Sequence, residues 1–89
     1  MSYCDRWIEN VREDLEILRK EEKYQRHDPE YHAEHVYYNE FFSTCPNEIV
    51  KSPAMGEFFG VYHAGGSLYE SIKAFLDEYD KENNQLDEI

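Results

Sequence analysis

The first apolar positions of the chain recur with a helical period. At 100° per residue, Tyr3, Cys4, Trp7, Ile8, Val11, Leu15 and Leu18 fall on one stripe. This pattern predicts a long helix over roughly residues 3–24, with Ser2 as its N-cap. Glu16 and Lys20 stand four apart in the favourable order, as do Glu22 and Arg26. Ile17 and Tyr24 point away from the stripe.

A second helix is predicted to begin at Asp28-Pro29, a good N-cap followed by a residue whose missing N–H costs nothing at the first helical position. Tyr31, His35, Tyr38 and Phe42 would share its inner face, with Tyr37 and Phe41 to one side. Pro46 stops it, and residues 44–52 read as a linker with Ile49 and Val50 tucked in. Ser52-Pro53 repeats the cap-and-proline signal and opens a third helix to His63, with Met55, Phe58, Phe59 and Tyr62 on one face. Gly56, Gly60 and Ala64 would form a smooth ridge for a closely approaching helix. The alternative for residues 57–63 is a strand, since two glycines weaken a helix. Gly65-Gly66 ends this element, and Ser67 with Glu70 forms a capping box for a fourth helix. Its stripe is Leu68, Ile72, Phe75, Leu76 and Tyr79, with Leu86 in phase beyond the expected end. The predicted fold class is all-α: one small domain over residues 1–89, a long N-terminal helix with about three shorter ones packed against it.

Length limits the chemistry. In 89 residues one modest core forms, leaving little interior for a cavity. Charge narrows it further. Twenty acids against nine bases give a net charge of −11. Residues 27–50 contain no Lys or Arg, and the acids thicken again from Asp77 to Glu88. Such a chain is a poor ligand for nucleic acid or an anionic membrane, because both demand clustered cations. The helix after Gly65-Gly66 superficially resembles the second helix of a helix-turn-helix, but its acids exclude that role.

No secretory leader or membrane-length apolar run is visible, so a cytoplasmic protein with free Cys4 and Cys45 is expected. A Cys4–Cys45 disulfide is the alternative. His27, His32, His35, Cys45 and His63 are the candidate metal ligands outside the carboxylates, and their spacing matches no zinc motif. Nothing local activates Cys45 as a nucleophile. No cofactor or bound metal is expected.

The aromatic content points to binding. Eight tyrosines exceed what one small core requires, and tyrosine is enriched at protein interfaces. The leading expectation is a non-catalytic acidic module that binds a basic protein surface, in its sharpest form an inhibitor occupying a nucleic-acid-binding site, of the viral or mobile-element counter-defence type. The expected partner-binding residues are Glu34, Tyr37, Glu40, Tyr69, Asp77, Glu78 and Asp80. Two alternatives come from other classes. One is a metal-binding protein or minimal enzyme built on His32, His35, Cys45 and His63. The other is a homo-oligomeric adaptor that closes its apolar stripe on a second copy.

Overall fold

The computed structural model describes residues 2–25 and 32–87, except for the side chains of residues 23, 32, 33 and 84–87. Among these there are five α-helices and no strand: α1 (Tyr3–Lys20), α2 (His32–Thr44), α3 (Asn47–Val50), α4 (Pro53–His63) and α5 (Leu68–Asp87). The fold is an all-α bundle, and the strand alternative for residues 57–63 is overturned by α4.

Helix α1 starts as its sequence directs. The Ser2 hydroxyl accepts from the Asp5 N–H at 3.2 Å. Its inner face buries Trp7, Ile8, Val11 and Leu18, while Leu15 is half-buried against the same core. The helix ends at Lys20, earlier than the pattern implies. Glu21 is extended, and a single 3-10 turn over Glu22–Tyr24 folds Tyr24 back onto the core. The Gln25 side-chain amide donates to the Arg19 carbonyl, one of the acceptors a helix end leaves open.

Helix α2 runs antiparallel to α1. The Trp7 indole N–H donates to Thr44 Oγ1 at 3.0 Å near one end, and the Tyr37 hydroxyl donates to Asp14 Oδ2 at 3.1 Å near the other. The predicted start at Asp28-Pro29, and Tyr31 with it, lies outside the described residues. The predicted inner face is rotated: His35 is exposed, and Phe41 is buried. With Tyr37, Tyr38, Phe41 and Phe42 bunched together, the sequence holds no single apolar direction. Contact decides it. Phe41 stacks on Phe58 at 5.1 Å, meets Phe75 edge-on at 5.8 Å and lies 5.0 Å from Trp7.

The expected linker contains α3, one helical turn that buries Ile49 and leaves Val50 42 % exposed. Helix α4 has the predicted bounds, and Met55 and Phe58 are buried. Its N-cap differs from expectation, because the Ser52 hydroxyl donates backward to the Ile49 carbonyl at 2.7 Å and caps no N–H. The small-residue ridge is also corrected. Cβ atoms added at Gly56 and Gly60 would meet nothing within 4 Å, and both glycines and Ala64 are exposed. Helix α5 approaches α4 over the opposite face, which Met55 and Phe58 fill.

The turn between α4 and α5 is tightly specified. The Gly65 N–H donates to the Tyr62 carbonyl at 3.2 Å and the Gly66 N–H to the Val61 carbonyl at 2.9 Å, a Schellman pattern with Gly65 at φ +95°. The predicted capping box follows: the Glu70 N–H donates to Ser67 Oγ at 3.1 Å, and the Ser67 N–H to Glu70 Oε1 at 3.3 Å. Helix α5 then buries Leu68, Ile72, Phe75 and Leu76. It continues to Asp87, so the fourth predicted helix is long, and Leu86 belongs to it. The Leu86 side chain lies outside the described residues.

Candidate partner-binding site

The seven expected partner-binding residues do not form one patch. Glu34 is fully buried and accepts from the Tyr62 hydroxyl at 2.9 Å, so it is a core carboxylate and not a surface charge. Its position on α2, one turn before Tyr38, turns it inward with the rotated face. Asp77 is exposed beside Lys73 at 3.2 Å. Asp80 accepts from both terminal guanidinium nitrogens of Arg12, which clamps α5 to α1. Arg12 in turn keeps the Asp80 carboxyl below the ordinary range. Glu78 and Tyr69 are half-buried on α5. The tyrosines expected to be surplus, Tyr24, Tyr37, Tyr62 and Tyr69, all pack against the core edge.

Tyr37 and Glu40 do come together, with residues of α1. A surface groove of about 570 Å³ runs between α1 and α2, lined by Tyr3, Arg6, Trp7, Asn10, Val11 and Asp14 on one side and Tyr37, Glu40, Phe41 and Thr44 on the other. Its position follows from the packing. Helix α2 meets the core through large side chains, Phe41 buried and Tyr37, Tyr38 and Phe42 half-buried, so its backbone stands off from α1. Hydrogen bonds close the two ends. At one, the Tyr3 hydroxyl donates to the Thr44 carbonyl; at the other, Tyr37 donates to Asp14.

The electrostatics of the groove are set by desolvation. Burial pushes the Asp14 carboxyl above its ordinary value, the Tyr37 hydrogen bond pulls it partly back, and the negative charges of Glu40 and Glu13 raise it again. Burial, with Asp14 close by, holds the Tyr37 phenol far above the ordinary tyrosine range. Sequence reasoning missed Arg6, Asn10 and Asp14. The available signal was their i, i+4 spacing along the edge of the α1 stripe.

Of the residues of the metal and nucleophile alternative, the structure describes the side chains of His35, Cys45 and His63. His35 and His63 are exposed. Cys4 and Cys45 are both free. Burial pushes the Cys45 thiol up to about 11, so it stays a thiol at neutral pH. Among the described residues no group of three or more His, Cys, Asp or Glu is placed to hold a metal ion. The His32 side chain and all of His27 lie outside the described residues. Nor is any helix among the described residues long and apolar enough to cross a membrane.

No protein family, curated protein or solved structure matches this chain.

Proposed function

We propose that this protein is a non-catalytic acidic module that binds a basic surface on another protein. The observation that carries this reading is the unpaired charge on its helices. Asp5, Glu9 and Glu13, with Glu40 and Glu57, are exposed and stand in no ion pair among the described residues. The first three follow one another along α1 at a rise of about 6 Å per step. A rigid helical frame therefore presents a row of carboxylates, and complementary charge steers association.

The sharper form of the proposal is competitive. The partner's basic surface is one that otherwise holds nucleic acid, and the module acts as an inhibitor in the cytoplasm, of the viral or mobile-element counter-defence type. Small size and the excess of negative charge support it. The test is to recover the partner from a host lysate by salt elution and titrate it calorimetrically, with and without its nucleic acid. Competition, and an affinity that falls as salt rises, are expected. Simultaneous binding of both ligands removes the inhibitor form. Micromolar binding of this protein to DNA or RNA alone overturns the proposal.

A further inference from the structure

The groove between α1 and α2 has a chemistry that a merely acidic surface does not require. Trp7 and Phe41, both buried, form an aromatic base. Two carboxylates face it from different helices, Asp14 of α1 and Glu40 of α2. The volume of about 570 Å³ is in the range of small-ligand sites.

We propose that this groove receives one arginine side chain of the basic partner, its guanidinium between the Asp14 and Glu40 carboxylates and its plane against the rings of Tyr37 and Trp7. The inference rests on the acidic-module reading and names the group that the module grips. Charge complementarity identifies the occupant. Asp14 has lost water on folding and, among the described residues, accepts only from the Tyr37 phenol, with Glu40 and Glu13 adding repulsion. A cation relieves both penalties at once. Arginine fits better than lysine, because a planar fork of five N–H donors can bridge two carboxylates and also lie on an aromatic face. The chain's own Arg6 lines the groove, is exposed and stands in no ion pair among the described residues. It competes with the incoming charge, so its removal strengthens binding.

Trp7 is the only tryptophan and lies in the groove, so its fluorescence and indole N–H resonance report occupancy directly. The probe is N-acetyl-arginine amide, with N-acetyl-citrulline amide as its neutral isostere. A saturable Trp7 response to the arginine probe is expected, with the citrulline probe about tenfold weaker or worse. Glu40→Gln, at an exposed position that does not threaten folding, should weaken the arginine probe several-fold. Asp14→Asn added to it should weaken the probe by about tenfold or more in total, and Arg6→Gln should tighten it. Equal responses to the two probes, or an unaltered Glu40→Gln protein, overturn the proposal. So does a Trp7 signal that follows protein concentration and ignores the probe, which means a second copy fills the groove.

Failure here is distinguishable from failure of the functional reading. Suppose the salt-eluted partner binds the Asp14→Asn, Glu40→Gln protein normally but loses affinity for a Glu9→Lys, Glu57→Lys protein. The acidic surface then stands and the arginine site falls. If the arginine probe fills the groove and no basic partner is retained, the site's chemistry stands and the acidic-module reading falls.

Discussion

Asp14 gives up water on folding and receives a phenol in return, whereas Asp80 receives a guanidinium. Their pKa shifts therefore have opposite signs. Asp14 binds its proton more tightly in the folded state than in the unfolded chain. Its ionisation opposes folding, and the penalty grows as pH rises from the ordinary aspartate value through the raised one. Asp80 is the reverse. Its contribution is present above the ordinary value and is lost as pH falls through the depressed one. Asp14→Asn keeps an acceptor for Tyr37 and should be more stable than the parent at neutral pH. Asp80→Asn should be less stable there, by about 0.2–1 kcal/mol, because the Arg12 pair is nearly half exposed. Urea unfolding at neutral pH and at about pH 3 checks both, since both differences should shrink in acid. A shift of the two variants in the same direction at neutral pH would refute the assignment. Individual side chains such as these were the hardest to read from the sequence. Glu34 looked like any other surface acid, and only the rotation of α2 made it a core residue.

Elements were legible where the backbone itself is constrained. Ser52-Pro53 and Gly65-Gly66 bound α4, and Ser67 with Glu70 opens α5, because proline, glycine and capping side chains act locally. The end of α1 carries no such mark, since tertiary packing of Tyr24 decides where the helix stops. The face of α2 was hidden for the same reason. Three of the four glycines divide along this line. Gly66→Ala would place a Cβ 2.5 Å from Val61 Cγ1 and 2.8 Å from the Val61 carbonyl oxygen, so it should destabilise the turn. Gly56→Ala and Gly60→Ala meet open space in the helix interior and should each stabilise by about 0.5–1 kcal/mol. Denaturant midpoints of the three variants test this. A stabilised Gly66→Ala would refute the described turn, and a loss at Gly56 or Gly60 would mean that their outer face is in fact packed.

At the scale of the whole molecule, which measures 43 × 24 × 23 Å, the sequence foretold an all-helical bundle. It did not foretell the groove, because a concavity between two helices arises from how large side chains such as Tyr37 and Phe41 pack between them and not from any motif. The α4–α5 turn also bears on the order in which this molecule assembles. Its Schellman and capping-box bonds join neighbours in the chain, so α4 and α5 can pair at a small cost in loop closure. The contacts that seat α2 on α1 span 37 residues at Trp7–Thr44 and 23 at Tyr37–Asp14. The hairpin should therefore form early and the groove last, and the groove should also be first to open. In native-state hydrogen exchange, the amides of α2 are expected to exchange through smaller openings than those of α5 around Ile72 and Phe75. Equal protection in the two helices would mean that the bundle opens only as one unit. With α2 the less protected, the surface proposed to grip a partner would also be the part most stabilised by gripping it.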